Sequence, residues 1–425
     1  MTLSTITGLE CTRCGASSES DPTNLGCPKC RAEGTPAAFS TVYDVDAARG
    51  SFRSDVLETR PFGPSRYAEL MPRGVGRFGL AEGATPLLRA EELARRLGVR
   101  SIFIKDESRN PTWSFKDRAA AIAAARALEQ DCPGLVVSST GNAAAATSAY
   151  AAAANLPAVV LFARGVDEIM AGFVRSLGGD IVATETKSDR WMFMRRCVED
   201  FGLYPNSNFA DPPVGNDPYA LDGYKAIAFE LWDQLGRRAP TGVVTSVGYG
   251  DSLFAIHKAF RELEAMGLAG APRLIAGERY GSLSRTIERG GDELVKAEID
   301  GPTVGSSIAT AQSTYQALLA IRDSRGTVYQ VTDEDILRAQ RTLVETEGIL
   351  VEAASAAGIA ALVIDGDKGT LNREGDYVFI NTSAGIKSIA AMGNMGIEPE
   401  MVTNERSFDE FMSRVLTSAE EGGAS

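Results

Sequence analysis

The sequence predicts an α/β protein with two lobes and a small N-terminal appendage. Short apolar stretches are repeatedly followed by a turn of small polar residues and then by a helix-forming run. This alternation is typical of parallel sheets covered by helices. A length of 425 residues is sufficient for more than one lobe. Two closely spaced cysteine pairs near the N-terminus indicate the appendage.

Composition and charge argue against several classes of protein. The formal net charge is −13 at pH 7, whereas nucleic-acid binding favours a basic face. No apolar run approaches the roughly 20 residues that span a bilayer, and residues 1–10 lack the pattern of a signal peptide. We therefore expect a cytoplasmic protein with no nucleic-acid or membrane partner. His257 is the only histidine, and we expect it to be structural rather than catalytic.

The first motif consists of two Cys-x-x-Cys pairs separated by twelve residues, namely Cys11, Cys14, Cys27 and Cys30. Four thiolates can form the tetrahedron that suits Zn²⁺. Two disulfides, which a reducing cytosol disfavours, and an iron site are the alternatives. We predict a structural zinc in a ribbon-like module of residues 1–35, because the four cysteines leave no ligand position open.

A lysine at the entrance of a helix is the candidate nucleophile. Residues 101–105 predict a strand, Asn110-Pro111 a turn, and 119–129 a helix. Lys116 then lies beside the positive end of the helix, where an ammonium loses its proton more easily. A neutral amine is the nucleophile that forms Schiff bases. The alternative is an ordinary solvated lysine on the first turn.

Two further strand–turn–helix units predict anion sites. Residues 136–142 indicate a buried strand that ends in small polar residues before a helix at 143–154. This turn can hold a carboxylate, although plain helix capping is the alternative. Residues 243–247 indicate another strand, and a Gly-rich turn precedes a helix at 254–266. Such a turn can close backbone N–H groups around a phosphate.

The rest of the chain continues the alternation. Strands are predicted at 41–45, 157–162, 180–183, 274–277, 328–331 and 377–382. Helices are predicted at 90–97, 170–177, 226–235 and from a capping box at 332–335 to Glu347. Within a catalytic region of residues 36–425, we expect a small lobe at roughly 120–215 inserted into a larger one.

Residues 111–118, Pro-Thr-Trp-Ser-Phe-Lys-Asp-Arg, resemble the lysine motif of the threonine synthase family. These are pyridoxal-phosphate enzymes of the tryptophan-synthase-β type, or fold type II. The resemblance covers roughly residues 80–390. It implies a two-lobed fold with pyridoxal phosphate in the cleft and Lys116 joined covalently to it. The N-terminal cysteines resemble the zinc ribbon of some threonine synthases.

Other motifs extend the resemblance by implying roles for particular residues. Ser139, Thr140 and Gly141 would grip the substrate carboxylate, and Asn142 would face the ring hydroxyl of the cofactor. Thr382 opens a stretch similar to the family's Thr-Gly-x-Gly-Leu-Lys and would pair with the pyridine nitrogen. Glu352 would lie near the cofactor pocket. The turn expected to hold the cofactor phosphate consists of Gly248, Tyr249, Gly250, Asp251 and Ser252.

The chain departs from the family at four places. Trp113 stands where the family has Gly, and we hypothesise that it narrows the pocket or stacks on a ligand. Ala220 replaces an arginine, and the usual lysines are missing from residues 168–175. Asp251 brings a carboxylate to the phosphate turn. We expect its side chain to point away, so that the backbone and Ser252 bind the phosphate.

Three remaining residues are candidates for substrate binding. Ser114 lies in the lysine motif itself. Lys105 and Arg109, just before that motif, could receive an anionic leaving group or be surface charges.

These observations predict a pyridoxal-phosphate-dependent elimination or replacement on a small amino acid. The leading interpretation is threonine synthase, which uses O-phospho-L-homoserine. The alternative is a related β- or γ-lyase or β-replacement synthase, similar to cysteate synthase or diaminopropionate ammonia-lyase. A degenerate homologue that only binds a ligand is the non-enzyme alternative. We expect a homodimer.

Overall fold

The computed structural model describes residues 4–18, 25–139, 141–163, 168–388, 406–407, 409–410 and 412–413. The chain divides into two compact units, residues 1–388 and 389–425. All strands and helices named below belong to the first unit. None of the helices in the described part is long and apolar enough to cross a membrane.

The N-terminal residues form a small antiparallel sheet beside the four cysteines, with strand order β2-β1-β3. Its strands are β1 (Ile6–Cys11), β2 (Ser17–Ser18) and β3 (Phe39–Tyr43). Helix α1 (Pro28–Ala32) begins with a proline, a position where the missing N–H costs no hydrogen bond. Alternate residues of β3 are buried, so this strand joins the small sheet to the rest of the molecule.

The larger lobe is built on a six-stranded sheet of order β12-β11-β10-β13-β5-β4. Its strands are β4 (Leu87–Arg89), β5 (Ser101–Asp106), β10 (Gly242–Ser246), β11 (Arg273–Glu278), β12 (Thr327–Gln330) and β13 (Asp376–Asn381). All neighbours are parallel except β4, which runs antiparallel to β5. Every residue of β10 and β13 is buried, as expected for central strands covered on both faces.

The smaller lobe contains a four-stranded parallel sheet of order β8-β7-β6-β9. Its strands are β6 (Leu135–Val137), β7 (Ala158–Ala163), β8 (Gly179–Thr184) and β9 (Tyr204–Pro205). We propose residues 120–215 as the extent of this lobe.

Helices pack on both sheets and fill the connections. They are α2 (Val45–Arg49), α3 (Ser54–Leu57), α4 (Glu91–Leu97), α5 (Lys116–Glu129), α6 (Asn142–Ala153), α7 (Glu168–Ser176), α8 (Lys187–Glu199), α9 (Pro218–Asp222), α10 (Lys225–Gln234), α11 (Asp251–Ala265), α12 (Ser282–Arg289), α13 (Tyr315–Asp323), α14 (Asp333–Glu347) and α15 (Ala353–Asp367). Short 3₁₀ turns occupy 50–52, 64–70, 107–109, 306–308 and 385–388.

The core of the larger lobe lies on both faces of its sheet, because neighbouring residues of a strand point in opposite directions. Val243 packs into the cluster formed with α10 and α11, whereas Val244 packs into the cluster formed with α15. Helix α15 approaches the sheet closely at Gly277, where any Cβ would collide with the carbonyl of Ala357.

A buried charged network ties the N-terminal sheet to the larger lobe. Asp222, at the end of α9, accepts hydrogen bonds from Thr41 and from Tyr43 of β3, the latter at 2.7 Å. Lys258 of α11 lies 2.9 Å from the same carboxylate, and the Lys225 ammonium lies 3.6 Å from the centre of the Tyr43 ring. Burial opposes ionisation of Asp222, but the two lysines outweigh it and lower its pKa.

The predicted order of strands and helices matches the structure, with shifts at their ends. Helix α14 is opened by the predicted capping box, with Thr332 and Asp335 bonded reciprocally. Helix α5 begins at Lys116, three residues earlier than predicted, and β3 begins at Phe39 rather than at residue 41. Helix α8 had no counterpart among the predicted elements.

Candidate active site

The lysine loop is fastened to the segment that follows β13. The N–H of Phe115 donates to the carbonyl of Thr382 at 2.9 Å, and the N–H of Ala384 donates to the carbonyl of Trp113 at 3.1 Å. Ser114 forms an isolated antiparallel bridge with Ser383. These bonds bring the first residue of α5, Lys116, next to the end of the central strand.

The amine of Lys116 lies over aromatic rings instead of polar partners. Its Nζ is 4.5 Å from the centre of the Phe115 ring and 5.4 Å from that of Tyr224. No described residue accepts a hydrogen bond from it. Burial lowers the pKa of this lysine, while Asp251 and Glu352 oppose the shift. The structure therefore favours the neutral, nucleophilic amine.

In the Gly-rich turn between β10 and α11, two backbone carbonyls are hydrogen-bonded and the N–H groups remain open to a ligand. Ser313 donates to the carbonyl of Gly248 at 2.8 Å, and Thr314 donates to that of Tyr249 at 2.8 Å. Gly250 has a φ of +92°, and a Cβ there would collide with Ala317. Among the described residues, nothing accepts from the N–H groups of residues 248–252. Free N–H groups at a helix start form an anion site.

Asp251 is the first residue of α11 and its side chain turns toward α13. Its Oδ1 accepts from Gln316 Nε2 at 2.9 Å and from the N–H of Asn216 at 3.4 Å. Burial raises the pKa of this carboxyl, and Lys116 opposes the shift. The Asp251 carboxylate is thus hydrogen-bonded to Gln316 and Asn216 and leaves the N–H groups of the turn to a ligand. Ser252, the next residue, is half-buried at the same helix start.

Thr382 directly follows the all-buried strand β13. Its backbone N–H donates to Ser355 Oγ at 2.8 Å, which fixes the residue, and no described residue bonds to its hydroxyl. A free hydroxyl at this place can pair with a ring nitrogen.

Asn142 lies at the centre of a polar cluster that draws on both lobes. It donates to Glu352 Oε2 at 2.6 Å, and its Oδ1 accepts from Lys387 Nζ at 2.8 Å and from Ser383 Oγ at 3.2 Å. Ser307 donates to the other Glu352 oxygen at 2.5 Å. Burial lowers the pKa of Lys387 to about 8. The sequence had indicated Asn142 and Glu352, but not the roles of Ser307 and Lys387.

The predicted carboxylate turn stands at the start of α6. The N–H of Gly141 donates to Ser139 Oγ at 3.4 Å, and α6 begins at Asn142 without a side-chain cap. Thr140 lies outside the described residues. Ser114 Oγ is buried and has no hydrogen-bond partner, so it too is available to a ligand.

Lys105 does not have the predicted role. It is fully buried and its Nζ donates to Glu230 at 2.7 Å, to Gln234 at 2.8 Å and to the carbonyl of Thr85 at 2.8 Å. All three ammonium hydrogens are therefore used inside the protein, and none is left for a leaving group. Arg109 is exposed, and its Nε lies 2.9 Å from Asp106 Oδ2. It is thus a surface charge, as in the alternative interpretation of the sequence.

Arg190 on α8 is a cation that no sequence motif indicates. Its Nε is buried and has no hydrogen-bond partner, and burial lowers the pKa of its guanidinium while Tyr249 of the Gly turn opposes the shift. The capping box at Thr186 and Asp189, which opens α8, is the local signal that could have located this helix.

The four predicted cysteine ligands come together. Cys11 and Cys30 have their sulfur atoms 3.6 Å apart, Cys14 and Cys27 have theirs 3.8 Å apart, and all four lie within 4.8 Å of one another. Zn–S bonds of about 2.3 Å in a tetrahedron place sulfurs about 3.8 Å apart. None of the cysteines is in a disulfide. The donor set and spacing fit zinc.

His257 is buried on α11 and bonds to Asp323 at 2.8 Å. Burial lowers its pKa. Its partner Asp323 lies at the end of α13. Within the described chain, no polar group of the lysine loop or the Gly turn bonds to His257.

The residues present fit pyridoxal phosphate. An unpartnered lysine amine, a free threonine hydroxyl and a turn of free N–H groups are the donor set that its aldehyde, ring nitrogen and phosphate require. They come from loops at the carboxyl ends of parallel strands, where ligands of α/β proteins bind. The one unfavourable group, the Asp251 carboxylate, is engaged by Gln316 and Asn216.

Comparison with known proteins places the chain among such enzymes. Residues 79–383 match the model of the "Pyridoxal-phosphate dependent enzyme" family. The chain is 32% identical to a threonine synthase of Methanosarcina acetivorans, over 93% of this chain and 95% of that protein. It is 29% identical to a threonine synthase of Methanocaldococcus jannaschii, over 92% and 95% respectively.

Solved structures show the same fold. A threonine deaminase of Solanum lycopersicum superposes with a TM-score of 0.61 at 21% identity, over 73% of this chain and 84% of that one. Maize serine racemase superposes with a TM-score of 0.61 at 20% identity, over 79% and 93%. With the family match and the near full-length similarity to threonine synthases, these findings show that the chain belongs to the pyridoxal-phosphate-dependent enzymes, within the threonine synthase family.

Proposed function

We propose that the protein converts O-phospho-L-homoserine and water into L-threonine and phosphate. The observation that carries the proposal is the setting of Lys116, whose unpartnered amine stands near the free hydroxyl of Thr382 and the anion-binding turn at 248–252. The similarity to two threonine synthases over more than nine-tenths of the chain supports the choice of reaction.

Lys116 has two tasks in this reaction. Its neutral amine would hold the cofactor, and once the substrate is bound Nζ would serve as the base that takes the proton from the α-carbon. Pyridoxal phosphate, when bound, supplies the electron sink that stabilises negative charge at that carbon. In the net reaction the bond between the γ-carbon and the phosphate oxygen breaks and the γ-carbon gains a proton, while the β-carbon loses one proton and gains the hydroxyl of water. The second proton of water leaves with the phosphate.

The substrate carboxylate has a binding place at the start of α6. The helix dipole and the free first N–H groups favour an anion there. Ser139 and Gly141 line the turn, and Asn142 is held in a single orientation by Glu352 and Lys387. Binding at this turn would orient the α-carbon of the substrate toward Lys116.

For the substrate phosphate we propose Arg190. Lys105 is excluded by its buried contacts, and Ala220, at the family's arginine position, is fully buried in α9. Within the described residues Arg190 has no hydrogen-bond partner at its buried Nε, and it lies close enough to Tyr249 of the Gly turn for each group to affect the pKa of the other. An unpaired, partly buried guanidinium favours a phosphate because the ligand restores its lost hydrogen bonds.

The test measures phosphate release and threonine formation by the purified holoenzyme, with Arg190→Met as the variant. Loss of one charge-assisted contact of about 1.5–3 kcal/mol should raise KM for O-phospho-L-homoserine roughly 10- to 100-fold. Arg195→Met is the matched control, because Arg195 is exposed on the same helix. An equal effect of both variants would overturn the role of Arg190, and no turnover by the wild type would overturn the proposed substrate.

The buried Ala220 and the lack of lysines in α7 favour a second candidate, an elimination or replacement on another substituted amino acid. O-Phosphoserine, serine, threonine and diaminopropionate are the compounds to compare. A visible cofactor band that responds to one of them, without turnover of O-phospho-L-homoserine, would establish this candidate. Absence of any cofactor band in the purified protein would indicate a degenerate homologue.

We further propose that the protein is a cytoplasmic homodimer. Several large apolar side chains are exposed, among them Ile169 (83%), Phe201 (63%) and Ile386 (61%). Exposed apolar surface of this kind is often covered by a partner subunit. Sedimentation of the holoenzyme gives the oligomeric state directly.

A further inference from the structure

Trp113 adopts a backbone conformation that is unfavourable for its residue type. Its φ is +62°, in the left-handed region that glycine enters freely and other L-residues enter at a cost of about 1–2 kcal/mol. Both sides of the residue are fixed. Its N–H donates to the carbonyl of Asn110 at 2.8 Å, and its carbonyl accepts from Ala384 and Ser383 at 3.1 Å each. The loop itself therefore imposes this conformation.

The indole of Trp113 stacks on Phe173 of helix α7. The ring centres are 5.2 Å apart and the planes differ by 4°. Such a pair contributes about 0.5–1.5 kcal/mol, and Trp113 remains 47% exposed. This stacking term, counted apart from the apolar area that the ring buries, is about the size of the backbone cost. The stack therefore offsets the strain without making Trp113 an obviously stabilising residue.

The stacked pair lies at one corner of the active site. Phe173 is 5.5 Å from Lys387 Nζ, and the same Nζ donates to Asn142 Oδ1 at 2.8 Å. Trp113 precedes Lys116 by three residues. The two rings thus connect the lysine loop to α7, on the side of the site where Lys387 and Asn142 meet.

We propose that Trp113 and Phe173 form an aromatic wall that sets the longest amino-acid side chain the site accepts. The wall rests on residues from two separate segments, and its position beside Asn142 puts it next to the proposed carboxylate turn. A substrate held there by its carboxylate extends its side chain within reach of the rings. The inference rests on the proposed function only in taking an amino acid as the ligand.

The test uses binding to the holoenzyme, followed through the cofactor absorbance band, for pairs of amino acids that differ by one methylene group. Serine with homoserine is one pair, and O-phosphoserine with O-phosphohomoserine is the other. One methylene against a fitted wall changes affinity roughly 10- to 200-fold. Because Trp113→Gly removes the wall, we expect the ratio of the two dissociation constants to shift at least 10-fold toward the longer compound.

Variants and stability separate a wall from a purely structural stack. Trp113→Phe keeps a ring at the same strained position and should retain most of the wild-type ratio. Trp113→Gly should unfold at the wild-type temperature or above, because the relief of backbone strain offsets the lost stack. Phe201→Ala, which removes an exposed ring outside the site, should leave the ratio unchanged.

An unchanged ratio in Trp113→Gly would overturn the inference, whatever the unfolding temperature of the variant. The measurement needs binding and not turnover, so it remains decisive if O-phospho-L-homoserine is not the substrate. Failure of that compound alone to bind, with the serine pair behaving as expected, would count against the proposed function and leave the wall intact.

Discussion

Lys116 and Arg118 lie two residues apart at the start of the same helix, yet their surroundings are opposite. The guanidinium of Arg118 makes paired hydrogen bonds of 2.6–2.8 Å to both oxygens of Glu107 and to both oxygens of Glu230. Lys105 joins this network through Glu230 at 2.7 Å. The amine of Lys116 has no such partner within the described chain.

The difference distinguishes a residue that stabilises the fold, Arg118, from one that can take part in the reaction, Lys116. Burial opposes the charge on Arg118, but the carboxylates of Glu107 and Glu230 outweigh it and raise its pKa. Burial of Lys116 is only partly offset by Asp251 and Glu352, so its pKa falls. Arg118, whose charge is paired with carboxylates, holds α5 in place. Lys116, which lacks such a partner within the described chain, keeps a reactive amine.

The strongest test of this contrast removes the reactive amine. Lys116→Ala should abolish the visible cofactor band and lower kcat by at least about 10²–10⁴-fold, because both the nucleophile and the proton carrier are lost. The unfolding temperature should stay close to that of the wild type without added cofactor, since no hydrogen bond is removed. A large loss of stability would show that Lys116 is part of the scaffold after all.

The complementary test breaks the scaffold. Glu230→Gln removes the carboxylate that pairs with Lys105 and one of the two carboxylates that pair with Arg118. This should lower the free energy of unfolding by about 3–5 kcal/mol. Urea unfolding followed by circular dichroism measures the change. The protein that remains folded should still show the cofactor band. A stable variant without the band would place Glu230 in the site.

Lys387 is an intermediate case that sharpens the contrast, because its Nζ is bonded to an amide oxygen rather than a carboxylate. Burial lowers its pKa to about 8, against about 10.4 in an unfolded chain. Below pH 8 Lys387 is charged in both states, and burial disfavours that charge in the folded protein. Between pH 8 and about 10.4 Lys387 is mostly neutral in the folded protein but still protonated in the unfolded chain, which therefore binds more protons. Stability therefore rises with pH in that window.

The corresponding experiment compares Lys387→Met with the wild type by urea unfolding at pH 7 and pH 10. The wild type should gain roughly 2–3 kcal/mol relative to the variant over this interval. Groups that titrate identically in both proteins cancel in the difference. Parallel pH dependences would mean that the ammonium is fully compensated by Glu352 and Asp117, the two carboxylates that oppose the shift.

The contrast also explains what the sequence could and could not predict. Strand–turn–helix units such as the one opened by Thr332 depend on local caps and apolar periodicity, so they were predicted nearly to their bounds. Lys105 and Lys116 look alike in sequence. Lys105 is structural only because Glu230, 125 residues later in the chain, folds against it, and a pairing of that separation leaves no local pattern.

The same limit applies to the cluster around Asn142. The sequence motifs indicated Asn142 and Glu352 separately, but their direct hydrogen bond spans 210 residues. No sequence pattern indicates Arg190, because what distinguishes it is that its Nε is buried without a hydrogen-bond partner among the described residues. Short helices such as α2 and α3 were not predicted because four or five residues carry too little periodicity.

The Asp222 network has a consequence for the evolution and engineering of this enzyme. The hydroxyls of Thr41 and Tyr43 complete the hydrogen bonding of a carboxylate that belongs to the larger lobe. A chain shortened to begin after β3 would leave that carboxylate facing solvent with two of its donors gone. The cysteine-bearing end is therefore not an interchangeable module. A chimera that replaces it must keep residues 39–43 of this chain, so that Asp222 retains the hydroxyls of Thr41 and Tyr43.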